Sequence, residues 1–466
     1  MKNVFFYQLL AIAALFSACN GGSKSNKTEE KQIMFTGAKG EIKFMTLDPG
    51  HFHAALVQKN MYDQVSTNVF VYAPEGAELQ NHLKIIDGYN ARKDNPTKWN
   101  LKVCTGDDYL ERMLAEKPGN VVVISGNNRI KTDYIKKSVE AGLNVLADKP
   151  MVIRPEKFAG LEETFKTAKE KGVLLYDLMP ERYEVNAMVQ KELSLLPEIF
   201  GILQEGTPQR AATEQIGIHY FYKNVSGNAL VRPAWFFDVN QQGEGIVDIA
   251  THYVDLVQWS CFPNQIINKN DIEIITAKHW PTVININEFS KVTKLHQYPD
   301  FLLGNVMNDN LNVFSNGEII YKVKGKVAKV SVEWKFKAPE GAGDSHYSVM
   351  RGTLCSLEIR QGIDERFEPT LYITANEGTD VNLLAVNLSR AIRDLPQKNI
   401  EIQKIKNNVW KAVVPEKLRI EHEERFAIVV KKYFEYLKNG KIPEWETSGM
   451  ITKYYTTTEA LKLVLK

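Results

Sequence analysis

One stretch, Asn120-Val-Val-Val-Ile124, limits the possible folds more than any other. Four consecutive apolar, β-branched residues closed by Ser125-Gly126-Asn127-Asn128 suit a strand buried on both faces. Such strands belong to parallel sheets covered by helices on either side. Residues 41–47, 67–72, 101–104, 143–146 and 173–176 read as further strands, and helical patterns at 107–116, 131–141 and 158–171 alternate with them. The alternation predicts an α/β fold whose N-terminal part, residues 41–180, is a Rossmann-like doubly wound parallel sheet. Ligands of such sheets lie beyond the carboxyl ends of the strands. His51, Phe52, Ser125, Asn127, Lys149 and Arg182 are placed there.

Past residue 180 the pattern changes. Residues 200–205, 216–222, 272–278, 311–314, 318–323, 329–336, 347–359 and 370–375 alternate or are β-branched, and turn residues such as Ser315-Asn316-Gly317 separate them. This predicts a C-terminal α+β domain, residues 181–466, with a large, mostly antiparallel open sheet. Residues 418–438 form a long amphipathic helical pattern, and 456–465 a shorter one.

The formal charge of +2 on 466 residues, with no basic run, excludes a nucleic-acid partner. Lys2 and the apolar run 4–16, too short to span a bilayer, read as a targeting segment. Its end, Leu-Phe-Ser-Ala-Cys19, resembles a bacterial lipoprotein processing site. Residues 1–18 are therefore expected to be a signal peptide, Cys19 the lipid-bearing terminus, and 19–40 a flexible tether rich in Gly, Ser, Asn, Lys and Glu. The expected location is exported and lipid-anchored, periplasmic or on the cell surface, with the membrane touched only through that anchor. Cys104, Cys261 and Cys355 show no metal-ligand spacing, and no metal is expected.

Three local patterns carry chemistry. In residues 243–259 the apolar positions recur at helical spacing, predicting a helix that opens near Gly245. Asp248 and His252, four apart, share a face, and Asp255 is one turn on. A carboxylate beside an imidazole fixes its tautomer and suits a general base. Lys149, locked by Pro150 at a strand end, can bond a ligand hydroxyl. The first turn, Asp48-x-Gly50-x-x-His53, keeps only the middle glycine of a phosphate-binding G-x-G-x-x-G, and Ala73-Pro74 stands where an acidic ribose ligand is expected. His51 and His53 could supply donors instead. Arg182, Tyr183, His219, Lys223, Arg232, Trp235 and Asp238 flank the helix, and Arg182, Tyr183, Trp235 and Asp238 are the expected substrate contacts. Asp344-Ser-His346 could also reach the site.

Asp148-Lys149-Pro150 resembles the Glu-Lys-Pro signature of the glucose-fructose oxidoreductase and inositol dehydrogenase (Gfo/Idh/MocA) family. Gly245 with Asp248-x-x-x-His252-x-x-Asp255, about a hundred residues on, resembles that family's second motif. The resemblance implies a catalytic set of Lys149, Asp248 and His252. It also implies a nicotinamide cofactor, NAD or NADP, beside Gly50, His51, Phe52, Ser125, Gly126, Asn127 and Lys149, and a homo-oligomer. Export implies that the cofactor is tightly held. Three activities stay open: hydride transfer from a sugar or glycoside hydroxyl, glycoside cleavage through transient oxidation by bound NAD, and sugar binding without catalysis.

Overall fold

The computed structural model describes residues 35–225 and 228–466. The expected signal peptide, Cys19 and most of the expected tether lie outside them. Residues 35–40 are already part of the fold: Phe35 is buried, and the N–H groups of Thr36, Gly37 and Ala38 donate to the Glu41 carboxylate at 2.8–3.1 Å. A single buried aromatic thus overrides the polar composition that marked this stretch as tether.

The first half runs β1 (Phe44–Leu47), α1 (His53–Leu56), β2 (Asn68–Ala73), α2 (Ala77–Ala91), β3 (Asn100–Thr105), α3 (Tyr109–Glu116), β4 (Val121–Ile124), α4 (Asn128–Glu140), β5 (Asn144–Asp148), α5 (Phe158–Lys171) and β6 (Leu175–Leu178). All six strands are parallel in the order β3-β2-β1-β4-β5-β6. β4 is buried at every residue. The order reverses between β1 and β4, so the crevice opens above those two strands.

α1 is only four residues long. The sheet face that it leaves bare is covered from the far end of the chain. The remaining helices include α6 (Val185–Ser194), α7 (Ala250–Cys261), α8 (Ile286–Thr293), α9 (Val381–Asp394), α10 (His422–Asn439) and α11 (Glu444–Val464). Phe426, Val430, Tyr433 and Phe434 of α10 are buried in one cluster with Phe44, Met45 and Leu47 of β1. Each such side chain contributes about 2 kcal/mol of apolar burial. The Phe434 ring lies 6.2 Å from Phe44, and Phe426 lies 4.6 Å from His53. The N-terminal turn of α10 is thereby brought to the crevice.

The large sheet comprises β7 (Thr213–Tyr222), β8 (Ile272–Asn285), β9 (Asn310–Val323), β10 (Lys326–Lys337), β11 (Ser345–Arg351), β12 (Cys355–Arg360), β13 (Thr370–Ala375), β14 (Glu401–Lys406) and β15 (Val409–Val413). Its order is β8-β9-β10-β7-β11-β12-β13-β15-β14. Only the β10–β7 pair is parallel in that path. Ser315-Asn316-Gly317 does not break the chain as expected. β9 runs through it with a bulge, Phe314 and Ser315 standing opposite Pro281 of β8, which absorbs the irregularity. Asn316 makes this possible, bonding the Trp280 carbonyl and the Trp334 N–H, so turn-forming residues are paired within the ladder.

Candidate active site

The helix carrying His252 starts later than its pattern suggests. Residues 245–249 form a turn, and α7 begins at Ala250. The cause is contact with β9. Gly245 donates its N–H to the Phe314 carbonyl, and a Cβ there would sit 1.9 Å from the Ser315 carbonyl oxygen. Only glycine permits that approach. Gly217 on β7 plays the same part under α7, since a Cβ there would lie 1.5 Å from the Tyr253 hydroxyl. The turn carries Asp248 toward the parallel sheet.

Lys149 follows directly on β5. Its Nζ donates to Asp248 Oδ1 at 2.6 Å, and both side chains are buried. Gln242 Nε2 donates to Asp248 Oδ2 at 2.8 Å. The two halves of the chain are joined at this ion pair. His252 lines the same cavity, but the carboxylate expected to order it is elsewhere. Asp248 is engaged by Lys149 and Gln242, and Asp255 faces away. His252 Nδ1 is buried with no hydrogen-bond partner among the described residues. Burial, then the nearby Lys149 charge, holds its pKa well below the usual imidazole value. It is therefore neutral, a proton acceptor, at pH 7.

The cavity has a volume of about 530 Å³, within the range of small-molecule sites. Six of the nine histidines of the chain line it: His51, His53, His219, His252, His346 and His422. On the sheet side, His219 bonds Asp344 at 3.0 Å and the Tyr253 hydroxyl at 3.1 Å, and stacks on Trp334. Lys223 also pairs with Asp344. Despite burial, His219 and Lys223 hold the Asp344 carboxyl well below the usual range. Arg232 donates to the Tyr220 and Phe221 carbonyls and lies 4.3 Å above the Phe236 ring. Burial lowers its pKa to about 10. From the α10 end, Glu181 is held by Arg425 at 2.9 Å and His422 at 3.2 Å.

The expected substrate contacts are placed differently. Arg182 is buried against Asp255, with bonds of 2.6 and 2.7 Å, and Glu446, at 2.9 Å. Tyr183 packs against the first core. Asp238 caps a one-turn helix by accepting from the Asn240 N–H and Gln241 Nε2. Trp235 donates to Glu78 at 3.1 Å and rests against Gly50. None of the four lines the cavity. His219, Lys223 and Arg232 do, together with Asp344 and His346 of the less favoured stretch. The α10 contribution from Glu421, His422, Glu423 and Arg425 carried no local signal, because nothing in residues 421–425 encodes a partner more than 360 positions away.

A Rossmann sheet meeting an open sheet through a buried lysine–aspartate pair defines the class as a two-part oxidoreductase fold. Residues 189–465 match the family described as "Putative oxidoreductase C terminal domain", and 61–177 match "Oxidoreductase family, NAD-binding Rossmann fold". The crystal structure of a "putative oxidoreductase" from Parabacteroides merdae ATCC 43184 is 50% identical, with a TM-score of 0.90 over 93% of this chain and 99% of that one. Levoglucosan dehydrogenase, solved with NADH and levoglucosan, is 12% identical with a TM-score of 0.56, over 90% and 97% of the two chains. Biliverdin reductase from Synechocystis sp. PCC 6803 is similar at 12% identity and a TM-score of 0.54, over 91% and 98%. A search of curated proteins finds no match. The chain belongs to the Gfo/Idh/MocA family of oxidoreductases, whose Rossmann domain binds a nicotinamide cofactor.

The residues present fit the reacting end of such a cofactor. Lys149, His51 and Phe52 line the cavity beside His252. At the diphosphate end the chain departs from the usual turn. The Gly50 N–H donates to the Asp48 carbonyl and the His51 N–H to the Ser125 carbonyl. A Cβ on Gly126 would meet the Asp48 carbonyl at 2.3 Å. Gly50, Ser125 and Gly126 thus form a joint between two turns, while Asn127 caps α4 and bonds Gln241 at 2.8 Å.

Proposed function

We propose that the protein oxidises a ring hydroxyl of a sugar or glycoside, with NAD or NADP as the tightly bound partner of the exchange. The observation that carries this reading is the Lys149–Asp248 pair at 2.6 Å beside an uncharged His252 in one cavity. A bound nicotinamide supplies the hydride acceptor. Lys149 has further N–H bonds to give a substrate hydroxyl and lowers its pKa. Asp248 and Gln242 hold that ammonium in place, and His252 takes the hydroxyl proton. The alternating donors and acceptors of His219, Lys223, Asp344 and Arg232 suit a polyhydroxylated ligand.

Cofactor released from freshly purified, denatured protein should be detectable by mass spectrometry. The protein should reduce NAD or NADP with members of a sugar and disaccharide panel, and Lys149→Ala and His252→Ala should abolish turnover. Absence of both nucleotide and turnover leaves sugar binding without catalysis. Release of an aglycone without net reduction of the cofactor identifies the glycosidase reading.

We also propose that the chain is exported, cleaved before Cys19 and lipid-anchored there, and that it assembles as a homo-oligomer through the outer face of the large sheet. The mass of the mature N-terminal peptide, its loss in Cys19→Ala, and light scattering test these points.

A further inference from the structure

We propose that His51, His53 and Asp148 bind one divalent transition-metal ion in the wall of the cavity that also carries Lys149 and His252. The inference stands independently of the hydride-transfer reading. One ligand atom from each of the three residues lies within 4.8 Å of the others. His53 Nδ1 is 3.0 and 3.1 Å from the two Asp148 oxygens, and His51 Nδ1 is 3.6 Å from Oδ2. Two donors bound tetrahedrally at roughly 2.1 Å to zinc are about 3.4 Å apart. The observed separations straddle that value, so an ion requires only small side-chain shifts.

The donor set is also the right kind. Two imidazoles and one carboxylate suit zinc, iron, cobalt or manganese and leave coordination positions for a ligand. His53 and Asp148 are almost fully buried, whereas His51 borders the cavity, so the open positions face the ligand space. Ser125 Oγ donates to Asp148 Oδ2 at 3.0 Å and orients the carboxylate, the part an outer-shell partner plays in metal centres. His51 Nδ1 lies 3.4 Å from the His53 N–H and accepts from it. Nδ1 has one lone pair, so an ion bound there takes the place of this long contact. The His-x-His spacing comes from the β1–α1 turn, and the aspartate comes 95 residues later from the end of β5.

The test uses the full folded chain without a polyhistidine tag. Metal per chain is measured by mass spectrometry after purification without chelator. Protein dialysed against EDTA is then titrated with Co²⁺ and followed by visible absorption. The expected result is about one ion per chain, ligand-field bands, and affinity at least roughly tenfold weaker in His51→Ala and His53→Ala than in the wild type or His296→Ala. His51→Gln, at the partly exposed position, serves where a buried variant fails to fold by circular dichroism. Less than about a tenth of an equivalent bound with no Co²⁺ bands, or equal affinity in wild type and folded His51 variants, overturns the proposal.

Discussion

Asp248 and Asp255 sit seven positions apart on one segment, and each pairs with a buried lysine, yet they serve different ends. Asp248 meets Lys149 at the edge of a cavity. Asp255 meets Arg182 and Lys453 in a sealed network. Lys453, fully buried, also reaches Asp177 at 2.7 Å, and Arg182 also reaches Glu446. In the sealed network each charge has an opposite neighbour and no route to solvent, so it ties α7, α11 and β6 together. Burial opposes the ionised Asp255 carboxylate, but Arg182 and Lys453 hold its pKa well below the usual range. In the open pair, the lysine keeps donors for a ligand. A buried lysine–aspartate contact is thus structural or functional according to what lies on its free side, which neither residue type nor spacing reveals.

The sharpest way to break this contrast is to remove the open set. Lys149→Ala and His252→Ala should each lower kcat by roughly 10²–10⁴-fold, with the melting temperature little changed in His252→Ala and lowered in Lys149→Ala, which leaves Asp248 without its partner. Steady-state kinetics with parallel thermal unfolding check this. Unfolding rather than inactivity would erase the distinction. Next, Arg182→Met strands Glu446 in the interior, leaves Asp255 with Lys453 alone, and should cost about 3–5 kcal/mol of stability by denaturant titration. Asp255→Asn should behave likewise, whereas Asp248→Asn should act mainly on kcat.

The cavity histidines give a third, smaller effect. Burial holds His252 well below the usual imidazole range, and His346 at about 4. An unfolded chain protonates these rings near pH 6.5, the folded one only at lower pH. Below 6.5 the unfolded state therefore binds more protons, and stability falls as the pH drops from about 6.5 toward about 4. The melting temperature should be several degrees lower at pH 5 than at pH 7.5, in a scan by circular dichroism. The smallest effect is expected at the joint: Trp235→Phe, losing the Glu78 bond, should let the bound nicotinamide nucleotide dissociate a few-fold faster and leave the KM for sugar unchanged.

Much of this was readable in advance. The parallel strands and the lysine at the end of β5 follow from local patterns, whereas Asp248 lies in the turn before α7 and not on the helix with His252. The lining of the cavity did not follow from such patterns, and Arg182 and Asp238 show why. Both are polar and lie near the motif, but packing gives Arg182 to Glu446, 264 residues on, and Asp238 is spent on a local helix cap with Asn240 and Gln241. The Asp248–His252 pairing expected of one helical face is not formed, because the Gly245 contact with β9 delays the helix and turns Asp248 to Lys149.

The order of residues alone determined the alternating α/β half, the antiparallel half and the residues able to do acid–base chemistry, because hydrophobic period and side-chain type are local properties. Only the tertiary structure decided which charges are sealed and which face a ligand. It also decided that α10 would replace a truncated α1, and that six histidines would share one cavity. Those outcomes depend on contacts between residues tens to hundreds of positions apart, and no local pattern records them.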